Sequence, residues 1–543
     1  MKAWEHIYRD VADEAQRFFK DLDRPAQRQE AVLKEILQNN MHTRFGLQYG
    51  FQDITSIRDF QDKVPVHTYE QLSCYIDDIS KGENNVLTTE EVTVFEETGG
   101  STKGAKLIPC TESSMRAFQK ALYPWLYDLL SKQPEIMHGS AYWSISPALR
   151  NKSTTPSGIH VGLSNDAEYF GLALAENILR TLAVPPIIGT ISEINSWRYL
   201  TLRYLLSARE LSLVSVWSPT FLLDLMTALS EHYTVILDDI RNKTLSVPLP
   251  EGISEDELSL IDIDDARVSE INAAFQGDMI NTRLLWPKLN TISCWLDANA
   301  ANYRDKLELL FPHVYLQGKG LLATEGVVSI PLCHENGSVL ATNSGFFEFI
   351  DKENNIYLAH ELKETKTYRV LLTTYSGLYR YDLGDQIIVT GYHGKTPLVK
   401  FAGRSGLVSD MCGEKLAESF VLNQLDDVKG HAMLLPCEGE QNGYLLLLEK
   451  SLYSQAEAAY MVEIIDQRLC TNPQYAYARK IGQLAPLAVL RVNQIWELYL
   501  QRQYDNGRCL GDIKPVVLSN DVLLYQYFTA GKVLSNKDVV CAH

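Results

Sequence analysis

The sequence predicts an α/β protein in two unequal parts: a large N-terminal body, residues 1–405, and a smaller α+β lid, residues 406–543. Three observations carry that expectation. At 543 residues the chain exceeds what one hydrophobic core organises. Short apolar segments alternate with helix-period segments from about residue 140 to 320, the pattern of α/β rather than all-β chains. A strand-rich stretch, 345–404, then ends at Gly403-Arg404-Ser405-Gly406, whose glycines give the backbone freedom to act as a hinge or simply to turn.

Taken in order, residues 1–48 read as helical, with apolar positions at helical spacing between 26 and 38 and Asn39-Asn40 as a stop. Val92 to Phe95 reads as a short strand leading into a Gly- and Lys-rich loop. Thr111 opens a helix to about Leu130, which Pro124 is expected to kink or split. Ala141 to Ile145, Leu211 to Trp217, Thr291 to Trp295 and Val314 to Leu316 read as strands between helices at 172–182, 196–208, 220–232 and 299–309. Acidic residues 251–265 read as surface loop. Tyr375 to Glu418 reads as a strand, a Gly384-Asp385 turn, a strand over 386–390 and a strand over 398–401. The lid alternates strand (432–435, 443–448), helix (454–469) and strand (487–492).

The net charge of −18 argues against a surface that tracks nucleic acid, which needs an excess of Lys and Arg. No apolar run reaches roughly twenty residues, so no membrane span is expected. The first ten residues are mixed in charge and carry no secretory apolar region. Nine cysteines without C-x-x-C spacing fit neither a zinc site nor a disulfide framework. A cytoplasmic monomer is the expectation.

Three constellations can carry chemistry. Thr98-Gly-Gly-Ser-Thr-Lys-Gly-Ala-Lys106 pairs close-approach glycines with hydroxyls and ammonium groups, a composition suited to phosphate. It is not a P-loop, since the terminal Gly-Lys-Ser/Thr is missing, and a plain flexible loop fits it equally. Thr324 and Glu325, in the stretch 318–326, offer a hydroxyl for a phosphate and a carboxylate for Mg²⁺; a solvated turn fits the same residues. Asp385 can accept hydrogen bonds from ribose hydroxyls, and an ordinary turn aspartate fits there too.

In that order the three resemble the acyl-adenylating superfamily of acyl-CoA synthetases and luciferases. Within it they resemble more closely the auxin- and jasmonate-conjugating acyl acid–amido synthetases, over residues from about Pro65 to Pro515. The matching stretches are Glu97 to Thr102 with Lys106 to Pro109, Ser215 to Leu223, Leu285-Trp-Pro287, Ala323-Thr-Glu325, Thr373 to Tyr381, Leu383-Gly-Asp385, and Lys400-Phe401 with Arg404. The run from Gly377 through Asp385 to Arg404 is the most specific.

The resemblance implies the acyl-adenylating fold, with a β-barrel-like unit in the body, and ATP and Mg²⁺ as cofactors. It implies activation of a carboxylic acid as acyl-AMP, with pyrophosphate released, and acyl transfer to an amine, most simply an amino acid. Alternatives are a ligase that forms acyl-CoA and a non-catalytic member that holds nucleotide or acid. By resemblance Thr98, Gly99, Gly100, Ser101, Thr102 and Lys106 hold the ATP phosphates. Ala323 and Thr324 approach the α-phosphate, Glu325 binds Mg²⁺, and Asp385, Phe401 and Arg404 bind the nucleoside. Lys415, after the hinge, and Lys514, in the lid, are the implied catalytic lysines. Leu321 stands where such proteins carry an aromatic residue, which leaves the adenine an apolar contact only. Tyr142, Trp143, Trp217 and Phe221, with Trp295, are candidates for the acid pocket. Arg116, Arg150 and His160 are candidates for a second carboxylate on the acid.

Overall fold

The computed structural model describes residues 2–98, 106–143, 153–163, 166–191, 193–248, 261–277, 279–404, 408–412, 414–437, 442–480, 482–506, 508, 513–529 and 539–541. The acidic loop 251–260 and the hinge residues Ser405 and Gly406 lie outside them.

Two helices, Lys2–Asp21 and Pro25–Asn40, open the chain. The first buries Trp4, Ile7, Val11, Ala15 and Phe18, one helical stripe, against the helix Glu112–Lys132. Thr111 caps that second helix through a reciprocal pair of bonds with Ser114. Pro124 does not split it: the helix runs through, with Pro124 buried inside. A proline at 124 leaves the Lys120 carbonyl without its helical donor. Asn343 Nδ2 supplies the missing bond at 2.9 Å.

The centre of the body is a parallel sheet in the order Ser140–Trp143, Leu211–Ser215, Thr291–Cys294, Tyr315–Gly318. The second and third strands are buried throughout, as befits strands covered on both faces. Helices Ile194–Ser207 and Pro219–Asn242 pack on the sheet through Trp197, Leu200, Leu222 and Leu225.

Residues 329–404 contribute a seven-stranded sheet, antiparallel throughout, in the order Ser329–Pro331, Ser338–Leu340, Thr396–Arg404, Tyr381–His393, Thr367–Thr373, Phe346–Ile350, Ile356–Leu358. It is open among the described residues: the barrel-like unit expected here is a sheet with two edges. Two further expectations for this stretch change. Tyr375 to Arg380 is a turn, and Gly384-Asp385 lies inside the long strand Tyr381–His393. Pairing jumps from Gln386↔Arg369 to Asp382↔Leu371, so Leu383, Gly384 and Asp385 form a bulge, with Gly384 at φ 76°.

The C-terminal part has its own mixed sheet, Met433–Cys437, Gly443–Glu449, Ala488–Val492, Val539–Cys541, with the helix Gln455–Leu469 alongside. One face packs on that helix through Leu446, Val462 and Val489. Met433, Leu435, Leu447 and Leu490 on the other face are continuous with the core of the parallel sheet.

Candidate active site

All four strands of the parallel sheet end on one side, where the pairs Trp143↔Ser215, Ser215↔Ser293 and Cys294↔Gly318 lie in register. Ligands of open α/β sheets bind outside the carboxyl ends of such strands. Here that edge carries Trp143, Trp217, Trp295 and Lys319, all half-buried rather than sealed in the core. The rings here form two runs bridged by Lys319. Phe170 meets Trp143 at 5.7 Å between centroids, Trp143 meets Trp125 at 6.0 Å, and Trp217 meets Trp295 at 5.7 Å. Lys319 Nζ joins the two halves, 5.4 Å from the Trp125 ring and 5.0 Å from Trp217. Lys514 Nζ, from the C-terminal part, lies 5.0 Å from the Trp295 ring.

A polar cluster is built on the segment that follows the last strand of this sheet. Thr324 and Glu325 form the two-residue tip of a hairpin between Leu322–Ala323 and Gly326–Val327. Glu325 is only 8% exposed, so the tip is not a solvated turn. Tyr381 Oη donates to Glu325 Oε1 at 3.2 Å. Burial pushes the Glu325 carboxyl up, and the Asp385 charge adds to that; Arg404 and the Tyr381 hydroxyl oppose it. Asp385, buried on its bulge, accepts from Arg404 Nε at 2.6 Å. Beside Asp385, the Arg404 guanidinium is held above its ordinary value. Lys106 Nζ lies 5.1 Å from the ring of Tyr69, whose hydroxyl feels the Glu325 charge.

Asp297 joins the two regions. It follows Trp295 by two residues, and its Oδ2 accepts from the Phe401 N–H at 3.3 Å. Phe401 stands on the strand that pairs with the Asp385 strand.

The structure therefore brings together Glu325, Asp385, Arg404, Phe401, Trp217 and Trp295, with Thr324 and Ala323 on the Glu325 hairpin. It does not bring in every candidate. Gly99, Gly100, Ser101, Thr102 and Arg150 lie outside the described residues, and Thr98 is described only as the end of the strand Val94–Thr98. Lys415 is exposed at the bend before Leu416–Ala417, with φ 48°. Tyr142 and Phe221 are core residues, 1% and 5% exposed: neighbours on a strand face opposite ways, so Tyr142 is buried where Trp143 reaches the edge. Leu321 is likewise buried among core side chains. Arg116 is paired with Glu112 on its own helix, and His160 is exposed on the strand His160–Val161 of another sheet.

Glu325 fits a divalent cation. Burial and Asp385 both disfavour charge on its carboxyl, and a cation there offsets both. Among the described residues no three His, Cys, Asp or Glu side chains gather as a metal cage, so the remaining ligands would be phosphate oxygens and water.

Three successive stretches match one family: the GH3 family N-terminal domain over residues 14–316, its central domain over 338–404 and its C-terminal domain over 423–522. The chain belongs to the GH3 family. Among its curated relatives, the indole-3-acetic acid-amido synthetase GH3.4 of Arabidopsis thaliana is 25% identical over 433 residues, 75% of this chain and 71% of the relative. A probable indole-3-acetic acid-amido synthetase, GH3.11 of Oryza sativa subsp. japonica, is 26% identical over 434 residues, 74% of this chain and 72% of the relative. The solved structure of the AtGH3.15 acyl acid amido synthetase in complex with 2,4-DB covers 97% of both chains with a TM-score of 0.85 at 20% identity. A 2-hydroxyisobutyryl-CoA ligase in the postadenylation state, with a TM-score of 0.53 at 11% identity over 92% of this chain and 90% of its own, shares the fold. The GH3 chain thus shares the fold of these enzymes, and its relatives are named as amido synthetases.

Proposed function

We propose that this GH3 chain is an ATP-dependent acyl acid–amido synthetase that joins an organic acid of flat, apolar body to an amino acid. The observation that carries the reading is the Asp297 link, which ties the segment just after Trp295 to the strand Thr396–Arg404 that carries Arg404. Indole-3-acetic acid, named for several relatives, is one acid of that shape.

A carboxylate is a poor electrophile at neutral pH. One of its oxygens attacks the α-phosphorus of ATP, and the bond to the bridging oxygen breaks, releasing pyrophosphate. The amine nitrogen then attacks the acyl carbon, AMP leaves with the bonding pair, and the nitrogen gives up a proton to solvent. Asp385 holds the ribose hydroxyls, with Arg404 fixing its carboxylate through the 2.6 Å bond. Thr324 reaches the α-phosphate from the hairpin tip, and Lys106 balances phosphate charge from its place over Tyr69. Mg²⁺, when bound at Glu325, neutralises phosphate charge. Lys514, already over Trp295, supplies positive charge in the first step and clears the amine's route in the second. The Trp143, Trp217 and Trp295 rings hold the acid's body in line with the phosphorus.

A reduced, cytoplasmic setting and a monomeric chain complete the reading, in keeping with seven free thiols among the described cysteines. Incubation with ATP, an acid library and mixed amino acids, read by mass spectrometry, tests it. An N-acyl amino acid with stoichiometric AMP supports the proposal. A thioester formed on adding coenzyme A, with no amide, makes the chain an acyl-CoA ligase, and ATP binding without pyrophosphate makes it a binding protein.

A further inference from the structure

We infer that Lys319 selects the acid, admitting acids with a second carboxylate at the end of the crevice remote from the nucleotide. The inference rests on the adenylation reading and names the substrate class of the same site.

Lys319 directly follows the last strand of the parallel sheet, and its N–H bonds the Cys294 carbonyl at 3.0 Å, which fixes the root of its side chain at the carboxyl edge. Gly320 makes the turn that follows: a Cβ there would meet the Ser329 carbonyl oxygen at 1.9 Å. The same connection then reaches the Thr324–Glu325 tip, so one short segment carries an ammonium on the acid side and a carboxylate on the phosphate side. The Lys319 ammonium donates to Ser215 Oγ at 3.0 Å and lies against the Trp217 and Trp125 rings. Trp125 is itself fixed, its Nε1 donating to Gln317 Oε1 at 2.9 Å.

The two lysines of the crevice are spaced along its rings. Lys514 lies on Trp295, two residues before Asp297 in the chain; Lys319 lies on Trp217, the ring partner of Trp295, and on Trp125. An acid stretched along Trp295 and Trp217 brings its reacting carboxylate near Lys514 and its far end near Lys319. Aromatic rings around an ammonium thin its hydration, which strengthens its attraction for an anionic group and its rejection of a cationic one. Arg116 does not supply this charge, being exposed and paired with Glu112.

The test is acid-dependent ATP–pyrophosphate exchange by the full chain, with paired acids of one skeleton: phenylacetate with 3-carboxyphenylacetate, and pentanoate with glutarate. The native chain should favour the dicarboxylate in kcat/KM in at least one pair. Lys319→Met should lower the dicarboxylate-to-monocarboxylate ratio roughly 10- to 100-fold, mainly through the KM of the acid, since a bond to a charged partner is lost. Lys319→Arg should restore part of that preference. A native preference for the monocarboxylate in both pairs overturns the inference without any variant. An equal loss on both acids in Lys319→Met also overturns it, because a merely structural lysine would act that way. Exchange with monocarboxylates alone leaves the adenylation reading standing and removes this one. Exchange with no acid removes both.

Discussion

Arg404 Nε donates to Asp385 Oδ1 at 2.6 Å, joining two residues that face each other as a register pair of neighbouring strands. The bond aims a buried carboxylate from its bulge while leaving the guanidinium about half exposed, 49% by side-chain area. A carboxylate so fixed is suited to receive two ribose hydroxyls. Asp385→Ala should therefore abolish acid-dependent ATP–pyrophosphate exchange, by roughly 100-fold or more. Arg404→Ala should lower it less, through a raised KM for ATP. Unchanged exchange in Asp385→Ala would count against the ribose role.

Glu325 separates activity from stability. Its folded carboxyl binds a proton more tightly than the unfolded one, because burial and Asp385 disfavour the charge. The stability it contributes is therefore fully present below the unfolded carboxyl value and is lost as pH rises through the elevated folded value. Glu325→Gln, neutral at every pH, should melt higher than the native chain at neutral pH while losing roughly 100-fold or more in exchange. Thermal melts at pH 4 and 7.5 check the first half: the gap in Tm should be wider at pH 7.5.

How much of this was legible in the sequence differs from residue to residue. Thr111 could be read as the helix start because an N-cap signal is local; that Ser114 is its partner is seen only in the structure. The Leu383–Asp385 bulge could not, because it exists only through the register of a partner strand, Thr367–Thr373. That Pro124 does not split its helix was hidden for the same reason: Asn343, 219 residues away in sequence, takes up the Lys120 carbonyl. Tyr142 is core because the face of its strand that meets the ligand edge is a tertiary fact, and Phe221 because the first turn of the helix Pro219–Asn242 packs it into the core. Lys319 was passed over although the signal was present, a lysine directly after a buried parallel strand, where ligand edges form.

Lys514 should act in one half of the reaction. With its ammonium over Trp295, beside the acid's reacting end, Lys514→Ala should slow acyl-adenylate formation by about 100-fold. Amide formation from a supplied acyl-adenylate should be largely spared. Equal loss of both steps would contradict that division.

His431 reports on the packing of the C-terminal part against the body. Its Nδ1 pairs with the Tyr303 hydroxyl at 2.9 Å and its ring stands 5.3 Å from Trp496. Burial, with the Lys306 charge adding to it, lowers its pKa from 6.5 to about 4. A base depressed in the fold contributes stability that is present above 6.5 and is lost as pH falls toward and through 4. His431→Gln should flatten the decline in Tm between those values. A decline as steep as in the native chain would assign the acid sensitivity elsewhere.

The family's most specific string is structural at its centre. Arg380 makes two bonds to Glu348, at 2.8 and 2.9 Å, and others to the Gln61 and Val64 carbonyls, with both charged side chains under 5% exposed. Arg380→Met leaves Glu348 buried without that partner and should cost about 3–5 kcal/mol in chemical denaturation. A loss below about 1 kcal/mol would show that the pair is dispensable.

The most direct measurement is a crystal structure of the full chain with a non-hydrolysable acyl-adenylate analogue, an acyl sulfamoyl adenosine. The ribose should lie on Asp385, the sulfamoyl group beside Thr324 and Glu325, and the acyl body along Trp295 and Trp217. A nucleoside bound away from Asp385, or an acyl group on the far side of the parallel sheet, would contradict the single cleft on which every role above depends.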